Sequence, residues 1–548
     1  MNQITKLLIV CFIFANKAEK SSNKFNLLVK VDEGLVKGHI VNTTSSVFNA
    51  WQGIPYAKPP LNELRFREPE AIEKWNNTLI ANISCSKCVQ SDGSGSEDCL
   101  CVEVYSPINK KCPKVMPVMV WIHGGAFVDG DANLNSTNPE YIMKECVILV
   151  HLQYRLGLIG FLSMGNTKAP GNNGLKDQAL ALKWVKKNIR FFNGDQNKIT
   201  IFGESAGAAS VSYHILSPMS KGLFHKAILQ SGTSLCQWTL TRGSSLFALS
   251  VAMKLNITVT STSELLDEFR KVPAKQLHKA ASVISAEKTV VGNALGGLPI
   301  GPVIEPSLEG AFLTGKSQDM LSKGEFNRVP TIIGHNSLEA LAAFTSENIL
   351  MMYVKKYELD KAELTPVSMN AQPGNKLIAG SMIYNRYFGA GPMTMNHLPE
   401  FISLDQFNKC IIKTIQLQAR YADTYYYVFS HMGQLGYPGI RPFNGVGHGE
   451  DVSYIFPNKL LKNVDYADSL TSRRVIRMWT NFAIYGKPTI RSDKTLEGMR
   501  WPKVSSTGLI LPYLNINTTM NVALEDLKEV FFYDVLYKFF GQGPFDCY

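Results

Sequence analysis

The junction between a predicted strand and a predicted helix constrains this chain more than any other feature. Residues 203–207 read Gly-Glu-Ser-Ala-Gly and fit the pattern G-x-S-x-G. The run 199–202 before them favours a strand, and the small residues 206–209 begin an apolar helical segment. Flanking glycines let strand and helix approach closely, and the turn holds the Ser205 hydroxyl at the helix N-terminus. This context predicts a nucleophile elbow and makes a buried turn serine the weaker alternative.

Apolar runs alternate with helical patterns through the first half of the chain. Residues 118–122 and 146–154 are typical of strands buried on both faces, and 174–192 have apolar side chains at helical spacing. The alternation predicts a large, mostly parallel central sheet with helices on both faces and long loop insertions. No linker separates domains, so residues 19–548 are predicted to form one domain. The remaining predicted segments are strands 198–202, 226–230, 331–334 and 425–429 and helix 206–216.

A serine hydroxyl needs a neighbouring base before it becomes a nucleophile. In α/β hydrolases, whose nucleophile lies on such a turn, the chain order is serine, then an acid, then histidine. His448 lies in the glycine-rich segment 444–449, which favours projection of its imidazole. His397 and His431 lack that setting, and we expect both at the surface.

The acid is expected just after a strand that precedes His448. Glu339 follows the predicted strand 331–334, although spacing alone leaves Asp319 and Glu325 open. In this position Glu339 would hold the Nδ1–H of His448 and stabilise the imidazolium as it forms.

The predicted strand 118–122 ends in the segment 123–127, His-Gly-Gly-Ala-Phe. It resembles the HGGG-type loop, whose small residues let the backbone turn its amides inward. Together with the N–H of Ala206, these amides would form an oxyanion hole. The inferred chemistry is acyl transfer, which requires neither a cofactor nor a metal.

The first 18 residues are typical of a secretory signal peptide, because Lys6 precedes an apolar stretch too short to span a membrane. No apolar run of about 18 residues follows residue 20, and no hydrophobic tail follows residue 545. We therefore expect a secreted, soluble protein without a stable membrane anchor. N-x-[ST] sequons, which mark candidate glycosylation sites, favour the same destination. They lie at Asn42, Asn76, Asn82, Asn135, Asn256 and Asn517.

Charge and cysteine content exclude other classes. The net charge is +11, but the basic residues are scattered, which favours a solvated surface over a nucleic-acid partner. Of ten cysteines, Cys11 would leave with the signal peptide, so an odd number would remain and at least one would lack an intrachain partner. Cys85 and Cys88 form a C-x-x-C pair without histidines at zinc spacing, so no metal site is predicted.

Several further blocks make the chain similar to the type-B carboxylesterase, or cholinesterase-like, family of α/β hydrolases, and it resembles secreted insect carboxylesterases. These blocks are 52–60 (Gln-Gly-Ile-Pro-Tyr-Ala-Lys-Pro-Pro), 64–69, 96–100, 154–157, 171–178, the Ser205 turn and 217–224.

The resemblance implies a serine carboxylesterase that acts on small-molecule esters through an acyl-enzyme. It implies Ser205 as nucleophile, Glu339 as acid and His448 as base. It also implies a set of supporting residues: oxyanion amides at Gly125, Ala126 and Ala206, a carboxylate beside the nucleophile at Glu204, and a disulfide between Cys88 and Cys99.

The chain departs from the family pattern at three places. Ala340 follows Glu339 where the family usually has glycine, and Cys101 replaces the usual aromatic residue. The family's second disulfide would begin at Cys236, but Leu255 and Asn256 stand where its partner is expected. We therefore expect Cys236 to lack that partner.

Three other classes of protein are less consistent with the sequence than a general carboxylesterase. Neuroligin-like adhesion proteins have this fold but typically lack a triad residue. Acetylcholinesterases bind choline on a tryptophan within the first disulfide loop, and residues 89–98 contain none. Juvenile hormone esterases usually have glutamine before the serine, where this chain has Glu204. The ester and the oligomeric state stay open, as does the question whether segment 524–540 caps the domain or pairs with a second chain.

Overall fold

A computed structural model describes residues 27–286, 294–343, 347–436, 443–457, 464–507, 510–543, 545 and 548. The predicted signal peptide, residues 1–18, lies outside the described residues.

The strands of the described chain form one small sheet and one large sheet. The small sheet has the order β1-β2-β5, and the large sheet has the order β14-β13-β12-β11-β10-β9-β7-β8-β6-β4-β3. The strands are β1 (Leu28–Lys30), β2 (Leu35–Lys37), β3 (His39–Asn42), β4 (Val47–Pro55), β5 (Leu79–Ile80), β6 (Cys101–Pro107), β7 (Met116–Ile122), β8 (Ile148–Leu152), β9 (Gly194–Glu204), β10 (Lys226–Gln230), β11 (Thr331–Asn336), β12 (Thr424–Phe429), β13 (Ile510–Ile516) and β14 (Asn521–Asp526).

The centre of the large sheet is parallel, from β8 through β7, β9, β10, β11 and β12 to β13, and its edges are antiparallel. Ile122 pairs with Gly203, and Gln230 pairs with both Glu204 and Gly334. The carboxyl ends of β7, β9, β10 and β11 therefore meet at one edge, where open α/β sheets bind their ligands.

Side chains of the central strands alternate between two hydrophobic cores. Val118 and Val120 pack into one core, whereas Met119 and Trp121 pack into the other. Since successive residues of a strand point to opposite faces, both faces of the sheet are covered. This confirms the predicted sheet with helices on both faces.

The helices are α1 (Gly157–Phe161), α2 (Asn173–Asn188), α3 (Ala206–Leu216), α4 (Ser244–Lys254), α5 (Thr262–Lys271), α6 (Ala274–Ala286), α7 (Ser317–Lys323), α8 (Glu347–Leu359), α9 (Pro373–Tyr387), α10 (His397–Ser403), α11 (Lys409–Gln418), α12 (Tyr466–Tyr485) and α13 (Lys528–Phe540). The Asp465 side chain caps α12 by accepting the N–H of Asp468, and Gly486 ends it in a left-handed conformation. Among the described helices, none is long and apolar enough to cross a membrane.

The segment 524–540 divides into the end of β14 and the helix α13. One face of α13 is buried against the chain's own core through Val530, Tyr533, Leu536 and Tyr537. The Lys409 ammonium lies 4.0 Å from the centre of the Tyr533 ring. One face of helix α13 is therefore occupied within the chain, whereas Phe531 and Phe539 on the helix are exposed.

The expectation that Cys236 lacks a partner is wrong. Cys236 forms a disulfide with Cys410, which lies 174 residues further on in α11. The sequence pattern placed the expected partner near residue 255. Spacing along the chain does not reveal that α11 packs against the loop after β10. The other disulfides of the described residues are Cys85–Cys101, Cys88–Cys99 and Cys112–Cys146.

Candidate active site

Ser205 lies on a strained turn between β9 and α3. Its φ of 57° and ψ of −125° are unfavourable for a residue with a side chain. A methyl group at Gly203 would lie 2.5 Å from the Ile122 carbonyl oxygen, and one at Gly207 only 2.1 Å from it. The two glycines therefore allow β7 to pack directly against the turn, as the G-x-S-x-G pattern predicts.

Ser205, His448 and Glu339 form one hydrogen-bonded line. The Nε2 atom of His448 lies 2.7 Å from Ser205 Oγ, and its Nδ1 atom lies 2.7 Å from Glu339 Oε2. The backbone N–H of His448 also donates to the Glu339 carbonyl at 3.1 Å, which ties the histidine loop to the acid. The structure thus brings together the three residues selected from the sequence.

The other candidates for the acid and for the base take no part in this hydrogen-bonded line. Asp319 belongs to α7 and Glu325 is exposed, whereas the carboxylates in contact with His448 are Glu339 and Glu204. His397 is exposed, as expected. The surface expectation for His431 is wrong, because its Nε2 is 2.8 Å from a buried Asp468 oxygen.

Glu204 brings a second carboxylate to the histidine. Its Oε1 lies 3.2 Å from His448 Nε2. Burial would lower the pKa of His448, but Glu204 and Glu339 together raise it from 6.5 to about 9. Burial raises the pKa of Glu204 to about 7. Burial opposes ionisation of Glu339 as well, yet its bond to His448 holds the pKa of that carboxyl below its ordinary value.

Further polar side chains fix the histidine loop, and the sequence did not single them out. Asn336 Nδ2 donates to the Gly447 carbonyl at 2.8 Å, and the Asn336 N–H donates to Glu339 Oε1 at 2.7 Å. The buried Asp451 carboxylate accepts from Gln230 Nε2 at 2.8 Å. In the sequence, the one indication of Asp451 is that Glu450 and Asp451 follow directly after Gly447-His448-Gly449.

An aromatic wall beside the histidine was also missed. The residues Leu404–Asn408 form a turn of π-helix between α10 and α11. This turn places the Phe407 ring 4.8 Å from the His448 ring, and Trp238 lies 5.7 Å from Phe407. A single widened helical turn leaves no periodic signal in the sequence.

The segment after β7 lies against the nucleophile. A methyl group at Gly124 would be 3.1 Å from Ser205 Cβ. Gly125 and Ala126 have φ values of 103° and 53°. Within the part of the chain that the structure describes, no acceptor is bonded to the amides of Gly125, Ala126 or Ala206. Amides without an acceptor are one requirement of an oxyanion hole.

A hydroxyl, an imidazole and a buried carboxylate in one line, with free amides beside them, can transfer an acyl group. Across the described ranges, no three His, Cys, Asp or Glu side chains are grouped as metal ligands would be.

Comparison with known proteins agrees with acyl-transfer chemistry. The sequence matches the carboxylesterase family over residues 26–531. It is 33% identical over 528 residues to venom carboxylesterase-6 of Apis mellifera, and the alignment covers 90% of each chain. It is also 33% identical over 520 residues to a juvenile hormone esterase of Tribolium castaneum, covering 87% of this chain and 86% of that one.

The fold has a counterpart among solved structures. The juvenile hormone esterase of Manduca sexta, with OTFP covalently attached, is 28% identical and superposes with a TM-score of 0.82. The match covers 94% of this chain and 100% of that chain.

Proposed function

Because the chain belongs to the carboxylesterase family and is a carboxylic ester hydrolase, we propose that it cleaves small-molecule esters through an acyl-enzyme on Ser205. The observation that carries this proposal is the unbroken line from Ser205 Oγ through the His448 ring to Glu339. A non-catalytic binding protein on the same fold would have no need of that line.

In the acylation step, Ser205 Oγ attacks the ester carbonyl carbon while His448 Nε2 takes the hydroxyl proton. The carbonyl electrons move to oxygen, and the amides of Gly125, Ala126 and Ala206 stabilise that oxyanion. The intermediate collapses and expels the alcohol, which takes the proton from His448. Water then attacks the acyl-enzyme carbonyl while His448 Nε2 takes a water proton. The intermediate collapses, Ser205 Oγ receives that proton as its bond to the acyl carbon breaks, and the carboxylic acid leaves.

Glu339 and Glu204 have different roles in this cycle. Glu339 stays ionised, orients the imidazole through Nδ1–H and stabilises the imidazolium. Glu204 lies on the Nε2 side, next to the proton in transfer, and its charge favours the protonated histidine.

The proposal includes secretion. The four disulfides of the described residues are typical of an oxidising compartment. Five of the six sequon asparagines are exposed, and Asn517 is half-buried. One similar protein is named a venom carboxylesterase.

To test the proposal, the secreted protein is treated with an organophosphate and its intact mass is measured. The hydrolysis of p-nitrophenyl acetate and p-nitrophenyl butyrate is assayed on the same samples. We expect one adduct, mapped to Ser205, with activity lost in step. Ser205→Ala should lower kcat about 10⁴-fold or more and take up no adduct. Ser250→Ala, on the unrelated helix α4, is the control and should keep full activity. Folded protein without adduct or turnover would contradict the proposal.

A further inference from the structure

We propose that the loop closed by the Cys88–Cys99 disulfide braces the turn that carries the oxyanion amides, and that Gln90 and Asp129 are positioning residues for it. The oxyanion turn comprises residues 124–130, and the brace comprises the contacts of Gln90 and Ser91 with it. This inference rests on the proposed function, because it assigns a role in the same reaction.

Gln90 makes the first contact with both ends of its side-chain amide. Its Oε1 accepts the N–H of Gly130 at 2.7 Å, and its Nε2 donates to the Gly130 carbonyl at 3.0 Å. Nε2 also donates to the Cys88 carbonyl at 2.6 Å, so the disulfide loop itself orients the amide. Since Gln90 is only 7% exposed, water competes little for these bonds.

Ser91 and Asp129 make the second contact. The Asp129 Oδ1 atom accepts the N–H of Ser91 at 2.9 Å and the Ser91 hydroxyl at 2.8 Å, and Oδ2 lies 2.7 Å from the same hydroxyl. Hydrogen bonds to a carboxylate are stronger than those between neutral groups. Two adjacent residues of the disulfide loop thus hold two adjacent residues of the oxyanion turn.

The braced residues are in close contact with the amide-bearing ones. A methyl group at Gly130 would lie 2.4 Å from the Gly124 carbonyl oxygen, and one at Gly125 would lie 2.1 Å from the Asp129 carbonyl oxygen. The Asp129 N–H also donates to the Gly125 carbonyl at 2.9 Å. We therefore expect a movement at Asp129 or Gly130 to displace Gly125 and Gly124, the second of which lies beside Ser205.

The outer side of the brace is fixed to the core. Arg65 forms an ion pair with Glu97 of the disulfide loop at 2.6 Å, and both side chains are nearly buried. The same guanidinium donates to the Val272 carbonyl at 2.7 Å, after helix α5. Arg65 also donates to the carbonyls of Phe269 and Arg270, so the disulfide loop is tied to the end of helix α5. Sites supported by regular elements are held more precisely than sites on loops.

The oxyanion turn needs such support because of its own backbone. Ala126 and Phe127 both have positive φ, at 53° and 61°. This conformation is unfavourable for residues with a Cβ atom and persists only where surrounding contacts hold it. Oxyanion donors must also lie about 2.7–3.1 Å from the oxygen, so a small shift is costly.

The test compares Gln90→Met and Asp129→Asn with Asp92→Asn as the matched control. Asp92 is exposed in the same loop, and its side chain bonds within the loop to Ser94. Each protein is assayed with p-nitrophenyl butyrate and with an alkyl trifluoromethyl ketone. Ser205 Oγ adds to the ketone carbon, its proton passes to His448, and the carbonyl electrons form an oxyanion that reports on the hole. A methyl ketone with the same tail reports tail binding alone.

Misplaced oxyanion donors typically lower kcat about 10- to 100-fold, and we expect such a fall for Gln90→Met and Asp129→Asn, with KM nearly unchanged. Affinity for the trifluoromethyl ketone should fall by the same factor as kcat/KM, whereas methyl ketone affinity and the control stay at the wild-type level. Should Gln90→Met fail to fold, Asp129→Asn and the isosteric Gln90→Glu carry the same comparison.

Two results would overturn the brace. In the first, the variants fold and their kcat and their affinity for the trifluoromethyl ketone match those of the wild type. The other is an equal loss for both ketones, which would indicate general distortion of the pocket. Wild-type protein that forms no adduct with the trifluoromethyl ketone would instead refute the proposed function itself.

Discussion

At the scale of single residues, we expect Glu204 to raise the pH above which His448 works as a base. Only neutral His448 accepts the Ser205 proton. The fall of kcat/KM towards low pH, the acid limb of the profile, therefore reports the pKa of His448 in the free enzyme. Glu204 and Glu339 hold that pKa well above 6.5. Glu204→Gln removes one of these charges, so the acid limb should move to lower pH. The measurement is kcat/KM between about pH 5 and pH 10.

The control for this shift is Glu63→Gln, which neutralises an exposed carboxylate paired only loosely with Arg67, at 3.9 Å. Its pH profile should coincide with that of the wild type, because exposed charges are strongly screened. An unmoved limb in Glu204→Gln would show that Glu204 does not control the histidine.

A local pattern in the sequence marks two of the candidate site residues, whereas spacing alone did not separate Glu339 from other acids. Ser205 has its glycines and its strand–helix junction, and His448 has its glycine-rich segment. Asn336 and Phe407 act through contacts between distant segments, at 2.8 Å to the Gly447 carbonyl and 4.8 Å to the His448 ring. No spacing along the chain encodes such contacts.

At the scale of elements, some predicted bounds agree with the structure and others do not. Helix Ala206–Leu216 and strand Lys226–Gln230 have the predicted bounds. The predicted strand 146–154 is shorter in the structure, Ile148–Leu152, since apolar residues also occur in the buried loop that follows. The sequence did not predict the antiparallel edges, because apolar alternation shows which face is buried and not which neighbour pairs.

The Cys236–Cys410 disulfide gives a prediction at this scale, because it joins the loop after β10 to α11. Closing a long loop removes entropy from the unfolded chain. Replacing both cysteines with alanine should lower the free energy of unfolding by about 2–5 kcal/mol, measured by thermal or denaturant unfolding.

The control is the double alanine variant of Cys112 and Cys146, whose loop spans 34 residues rather than 174. Its loss should be smaller, because loop entropy grows with loop length. A non-reducing peptide map must also show Cys236 joined to Cys410. Free Cys236 in that map would contradict the structure and restore the expectation drawn from the sequence.

At the scale of the whole molecule, the central sheet brings the candidate site residues together. Four central strands bring their carboxyl ends to one edge, so segments far apart in sequence supply one site. The alternation of strands and helices predicted this architecture. The packing of α13 and the pairing of Cys236 with Cys410 depend on contacts that only the complete fold defines.

The last prediction concerns the surface and follows from the proposed secretion. A glycan needs an accessible asparagine, and five sequon asparagines are exposed, namely Asn42, Asn76, Asn82, Asn135 and Asn256. Asn517 is half-buried directly after β13, and its side chain accepts the N–H of Thr518 at 2.7 Å.

We therefore expect glycans on the five exposed sites and markedly lower occupancy at Asn517. Enzymatic removal of the glycans in heavy-oxygen water converts each occupied asparagine to a labelled aspartate, which peptide mass spectrometry locates. Protein made in a bacterial cytosol is the control for spontaneous deamidation. Full occupancy at Asn517 would show that this side chain is accessible before β13 and β14 close around it. Absence of label at all six sites would argue against passage through the secretory pathway.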